Sequence, residues 1–141
     1  MATFESIYTA HATVVGGRNG HVTSSDGVLD LDVRIPKEMG GSGGAYTNPE
    51  QLFAAGYAAC FDGALNLVIR TEKVRTGTTR VTAAVSLGKD EAGNYGLAVK
   101  LEVAIPDTDR ELAQSLIEKA HQVCPYSRAT RGNINVELAL I

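Results

Sequence analysis

Two residues in the chain have side chains suited to covalent chemistry, Cys60 and Cys124, and they lie far apart in sequence. Cys60 falls inside an apolar run from Leu52 to Ile69, where a free cysteine ordinarily packs as a small hydrophobe. A reactive role requires the thiolate, and apolar surroundings raise a thiol's pKa unless a cation approaches it. No Arg or Lys stands within a helical turn of Cys60 in sequence, so the cation would have to come from another element. Cys124 precedes Pro125 and reads on its own as a helix-end filler. Residue types alone leave two inert core thiols and a redox pair both open. His121 and Cys124 share one helix face by their spacing, but two ligands fall short of the three or four protein ligands a zinc site uses, and no metal is expected. The glycine run at 40–44 lacks the Lys-Ser/Thr of a phosphate-binding loop, so no nucleotide cofactor is expected either.

The elements that must position these residues can be read from periodicity and punctuation. A length of 141 residues with 44% apolar content suits one domain over 1–141, and a net charge of −3 offers no basic surface for nucleic acid or anionic lipid. The first ten residues, MATFESIYTA, show neither a basic n-region nor an apolar h-region, which predicts a cytoplasmic protein. Structural disulfides are uncommon in that reducing compartment. Residues 3–15, 21–25 and 28–35 read as three strands of an antiparallel meander with one wet face, broken by the turn Gly16-Gly17-Arg18-Asn19-Gly20 and by Asp26-Gly27. Residues 36–47 are expected to form a loop.

Asn48-Pro49-Glu50 marks a helix start: an N-capping amide, a proline at the first helical position and an acid at the positive end of the dipole. The helix that follows is apolar on every side, so it belongs at a centre. A membrane span is disfavoured by Gln51, Asp62 and Asn66. Residues 80–87 and 97–105 alternate and predict a hairpin. Thr108 with Glu111 forms a capping-box pattern ahead of an amphipathic second helix, which Pro125 should end near Cys124. Residues 134–141 read as a last strand. The class is α+β, and so apolar a helix needs more cover than these elements supply, which predicts a homodimer.

Residues 47–61, TNPEQLFAAGYAACF, resemble the first-cysteine motif of the organic hydroperoxide resistance (Ohr) family. Residues 121–127, HQVCPYS, resemble its second-cysteine motif, and residues 17–22, GRNGHV, its arginine-bearing turn. The family is similar to the broader OsmC group, and the similarity covers nearly the whole chain. The resemblance implies an OsmC/Ohr-like fold, with antiparallel sheets around a long central helix in an intertwined homodimer. It implies that Cys60 is the peroxidatic cysteine, Cys124 the resolving cysteine, Arg18 the guanidinium that stabilises the thiolate and orients the peroxide, and Glu50 the carboxylate that positions Arg18. The implied substrates are organic hydroperoxides, the implied reductants dihydrolipoamide or lipoylated proteins, and no cofactor is needed. Phe53, Tyr57 and Phe61 are candidates for an apolar pocket, as well as for plain core. Tyr46 and Asp62 depart from the family pattern, where a smaller or more apolar residue is expected.

One geometric question stays open at this point. Glu50 and Cys60 are separated by about 15 Å along an unbroken helix. An extended Arg18 bridges part of that distance, or the helix breaks near Gly56, or a partner chain supplies one group. Two other functions compete: a module that holds a hydrophobic ligand with both cysteines inert, and a thiol redox sensor, for which the chain offers no DNA-binding helix pair.

Overall fold

The computed structural model describes residues 3–141; Met1 and Ala2, at the start of the expected domain, lie outside the described residues. The chain divides into two compact units, Met1–Pro49 and Glu50–Ile141.

In the first unit, β1 (Ala12–Val15), β2 (His21–Ser24) and β3 (Asp30–Asp32) form the expected antiparallel meander in the order β1-β2-β3. The strands are shorter than their alternation predicts. Beyond Asp32 the chain leaves β2 and pairs with residue 47: Thr47 N–H donates to Asp32 O and Arg34 N–H to Thr47 O. The meander also lacks the expected single dry face, since Val22 is buried while Val14, Val15 and Leu31 are exposed. The loop at 36–47 contains one short 3-10 turn, Lys37–Met39.

The turn between β1 and β2 is a 3-10 turn, Gly17–Asn19, that carries Arg18. Its closing residue must be glycine, because a Cβ on Gly20 would lie 1.7 Å from Val15 O. Arg34 braces this turn by donating from Nη1 to Gly20 O (2.9 Å) and Val33 O (2.7 Å), and its guanidinium lies 5.0 Å from the centroid of the Tyr46 ring. Tyr46 therefore has a local role as a cation–π cover for Arg34.

Just after the turn, both ring nitrogens of His21 are engaged: Nδ1 with Asp32 Oδ1 at 2.7 Å and Nε2 with Asp30 Oδ1. The hydrogen bonds from Asp32 and then Asp30 raise the His21 pKa above the ordinary histidine value. A raised folded-state pKa contributes stability that is complete below the unfolded value of about 6.5 and is lost as pH rises through the folded value. The expected result is a His21 ring titration, followed by NMR, with its midpoint above that of a free histidine. The shift should disappear when Asp30 and Asp32 are both changed to Asn, and a wild-type midpoint at or below 6.5 would contradict the clamp.

In the second unit, α1 (Pro49–Glu72) begins where the Asn-Pro-Glu signal places it and runs unbroken through Gly56. A strand pair β4 (Arg80–Lys89) and β5 (Tyr95–Ala104), helices α2 (Arg110–Val123) and α3 (Pro125–Thr130), and β6 (Val136–Leu140) follow. The sheet order is β4-β5-β6. β4 and β5 are antiparallel, but β6 runs parallel to β5, so the expected all-antiparallel arrangement is corrected to a mixed sheet. The intervening helices carry the chain back across the sheet, and such a crossover returns the next strand in the same direction.

Alternate residues of β5, Val99, Leu101 and Val103, pack into a core with Tyr57, Phe61 and Leu65 of α1 and Leu116, Ile117 and Ala120 of α2. α1 is thus central on one side. Ala55, Ala59, Gly63 and Leu67, four residues apart on another face, are exposed. The helix has the length and hydropathy of a membrane span. Its polar residues are nonetheless engaged: Thr79 Oγ1 donates to Asp62 Oδ1 (2.5 Å), and Asn66 Nδ2 donates to Thr79 Oγ1 (3.0 Å) and Asp62 O (2.8 Å). This network accounts locally for Asp62, the second departure from the family pattern.

The start of α2 differs from the expected capping box. Asp109 is the N-cap and its Oδ2 accepts from Leu112 N–H at 3.2 Å, while Thr108 Oγ1 donates to Pro106 O instead. α2 ends at Val123, as Pro125 requires. The same proline then opens α3, a helix not anticipated from the sequence, because a residue that disfavours helix before itself is well suited to a first helical position.

Candidate functional site

Cys60 lies on the face of α1 next to the core stripe and is half-buried, one residue before the fully buried Phe61. Cys124 sits at the break between α2 and α3, with an extended backbone (φ −61°, ψ 122°) and no exposed surface. These two elements bring Cys124 Sγ to 3.6 Å from Cys60 Sγ. Both thiols are free. A disulfide bond is about 2.0 Å long, so closing one requires a movement of only about 1.6 Å.

Burial pushes the Cys60 thiol above its ordinary pKa, the backbone N–H of Tyr126 pulls it partly back, and the neighbouring Cys124 thiol adds an upward push. Within this unit the site therefore favours the neutral thiol on Cys60, and one amide donor favours the thiolate.

A largely buried polar network links the helices that carry the pair. Tyr57 Oη lies 2.8 Å from Ser127 Oγ and 3.1 Å from Thr130 Oγ1, and His121 Nδ1 lies 2.8 Å from the same Ser127 Oγ. Arg131 Nη1 donates to His121 O at 2.9 Å. Burial, and secondarily the Arg131 charge, lowers the His121 pKa, which keeps its ring neutral near neutral pH. The rings of Phe53, Tyr57 and Tyr126 form a cluster with centroids 5.7–6.4 Å apart. Gly56 makes room for it: a Cβ there would lie 3.0 Å from Tyr126 Oη. This glycine therefore serves close packing, not a helix break.

Of the three aromatics named as pocket candidates, Tyr57 and Phe61 are wholly buried in the core. Phe53 lines a cavity of about 450 Å³ together with Leu97, Tyr126, Thr130 and Ile134. Arg18 stands half-exposed in the Gly17–Asn19 turn of the first unit, and Glu50 is the second residue of α1 in the second unit. Tyr126 and Ser127 were named in the sequence only as part of the second-cysteine motif, with no role of their own, and Thr130 was not singled out. Their signal was the stretch after Cys124, which reads as chain leaving a helix until Pro125 is taken as the start of another. Among the described residues, no group of three or more His, Cys, Asp or Glu could hold a metal ion.

Fold and site together define an α+β protein with a juxtaposed pair of free thiols, one on a long core helix and the other at a helix break. The OsmC-like protein family matches residues 41–139. The chain is 51% identical to the organic hydroperoxide resistance protein of Xanthomonas axonopodis pv. citri over 99% of each sequence. Among solved structures, an organic hydroperoxide resistance protein from Elizabethkingia anophelis, with thiocyanate bound, superposes with a TM-score of 0.92 at 59% identity, covering 97% of this chain and 98% of that one. OhrB of Bacillus subtilis superposes with a TM-score of 0.88 at 49% identity, covering 96% and 100%. The chain belongs to the OsmC/Ohr family, on the organic hydroperoxide resistance branch. That membership implies a role in resistance to peroxide stress.

Proposed function

We propose that this chain is a cysteine-based, thiol-dependent peroxidase that reduces organic hydroperoxides to alcohols. The observation that carries the proposal is the 3.6 Å approach of Cys60 and Cys124 in a member of this family. The Cys60 thiolate attacks the distal peroxide oxygen, the O–O bond breaks, and the alkoxide takes a proton and leaves as alcohol, with a sulfenic acid on Cys60. The Cys124 thiolate then attacks the Cys60 sulfur, the S–O bond breaks, and hydroxide leaves as water with the proton Cys124 gave up. A dihydrolipoyl group, free or on a protein, supplies two electrons and two protons to regenerate both thiols and becomes a cyclic disulfide. No bound cofactor takes part.

Arg18 supplies the cation that a desolvated Cys60 needs and hydrogen-bonds the peroxide oxygens as charge shifts to the leaving oxygen. Glu50 positions Arg18. The cavity beside Phe53 and Tyr126 receives the apolar part of the substrate, which favours organic peroxides over hydrogen peroxide. The chain acts as one domain in a homodimer in the cytoplasm. Support for the homodimer comes from the exposed Ala55, Ala59, Gly63, Leu67 face of α1 and from the exposed Phe4, Ile7 and Tyr8.

A steady-state assay tests substrate and reductant together. With dihydrolipoamide as reductant, kcat/KM for tert-butyl hydroperoxide should exceed that for hydrogen peroxide by about tenfold or more, the discrimination a few apolar contacts provide. Glutathione should support much slower turnover. Equal rates with the two peroxides would remove the apolar-substrate reading, and equal rates with the two thiols would remove the lipoyl reading.

A further inference from the structure

Ser127 is the buried joint at which the three helices around the cysteine pair meet. It belongs to α3, and its Oγ contacts Tyr57 of α1 and His121 of α2, each at 2.8 Å. Tyr57 stands three residues before Cys60, His121 three before Cys124, and Ser127 three after it. That spacing is close to one helical turn, so each contact fixes the turn that carries a cysteine. Thr130 adds a second bond to Tyr57 Oη, and its own hydroxyl donates to Ser127 O at 3.3 Å. Ser127 and Tyr57 have no exposed surface. Among the described residues no buried side-chain polar atom lacks a partner. A satisfied network at this depth resists displacement, because breaking one bond strands polar atoms away from water.

We propose that Ser127, with Tyr57 and His121, is a positioning unit for the resolving step, holding Cys124 where it captures the Cys60 sulfenic acid before a second peroxide does. This deepens the peroxidase reading and rests on it. Two reactions compete for the sulfenic acid. In one, Cys124 forms the disulfide and water leaves. In the other, the sulfenate attacks a second hydroperoxide, whose O–O bond breaks to give a sulfinic acid on Cys60 and another alcohol. The ratio of disulfide to sulfinic acid measures how well Cys124 is placed. It does not depend on how fast the sulfenic acid was formed.

The experiment titrates reduced wild type, Ser127→Ala, Ser127→Thr and Tyr57→Phe with tert-butyl hydroperoxide, from stoichiometric to large excess, and reads the products by intact mass. Wild type and Ser127→Thr, which keeps the hydroxyl, should give mainly disulfide. Ser127→Ala and Tyr57→Phe should shift the ratio toward sulfinic acid by about tenfold to a hundredfold, the scale of a displacement near 1 Å at a reacting pair. Should the alanine variant fail to fold, Tyr57→Phe carries the same expectation from the other end of the bond. A folded Ser127→Ala, or Tyr57→Phe in its place, with the wild-type ratio would overturn the proposal, as would Ser127→Thr partitioning like alanine. A wild-type Cys60 that peroxide leaves untouched would instead defeat the peroxidase reading, and this proposal with it.

Discussion

Cys60→Ser is expected to abolish organic hydroperoxide reduction, lowering kcat/KM by at least about four orders of magnitude. A serine hydroxyl has no accessible anion near neutral pH and is a far weaker nucleophile toward peroxide oxygen than a thiolate. Cys124→Ser should behave differently. Its Cys60 remains able to attack the first peroxide, but with no thiol at 3.6 Å the sulfenic acid persists and moves on to sulfinic acid in excess peroxide. Single-turnover peroxide consumption and intact mass distinguish the two variants. Retention of turnover by Cys60→Ser, or a Cys60 in the Cys124→Ser chain that the first equivalent of peroxide leaves unoxidised, would contradict the assigned roles.

Arg18→Ala is expected to slow oxidation of Cys60 by about a thousandfold. Burial holds the Cys60 thiol above the usual range, and the Tyr126 amide opposes this only in part. A guanidinium typically lowers the pKa of a neighbouring acid by one to three units, and a lost donor at developing negative charge costs about a hundredfold to a thousandfold in rate. Removing Arg18 should therefore move the midpoint of the pH–rate profile upward and lower its plateau. Arg18→Lys should keep part of the pKa effect but lose the forked hydrogen bonds, and so fall between. Stopped-flow measurement of peroxide reduction across pH checks both effects. An unchanged midpoint together with an unchanged plateau in Arg18→Ala would remove the arginine from the site. Arg18 lies half-exposed in a short turn, so the substitution should leave the core of the second unit intact.

Local features of the fold were the most legible in sequence. The Asn48-Pro49-Glu50 signal set the start of α1, strict alternation set the hairpin β4–β5, and Pro125 set the end of α2. Features that depend on where the chain goes next were not legible. Alternation in residues 28–35 continues past Asp32, although the ladder with β2 ends at His21, after which Val33 N–H donates to Gly20 O in the turn and Thr47 pairs along the other edge. The direction of β6 depends on the crossover through α2 and α3, which its own residues do not encode. α3 was hidden because its only marker is the proline that ends the preceding helix.

The site shows the same division. The chemistry of Cys60 and Cys124 was visible as residue types, and their pairing followed from the resemblance of the surrounding motifs. Their approach is a tertiary fact. So is the network of Tyr57, His121 and Ser127, whose residues looked like core, helix face and helix end when taken singly. Gly56 is a further example: sequence offered it as a break, and the structure uses it to seat the Tyr126 ring.

The most direct measurement of the central claim is to mix the reduced protein with one equivalent of tert-butyl hydroperoxide, quench within a second, and map the thiols by peptide mass analysis without reductant. The account predicts loss of both free thiols and a single linked peptide pair joining Cys60 to Cys124 in the same chain, with slower loss when hydrogen peroxide replaces the organic oxidant. Two intact thiols in a folded protein, or an oxidised Cys60 beside an untouched Cys124, would contradict it.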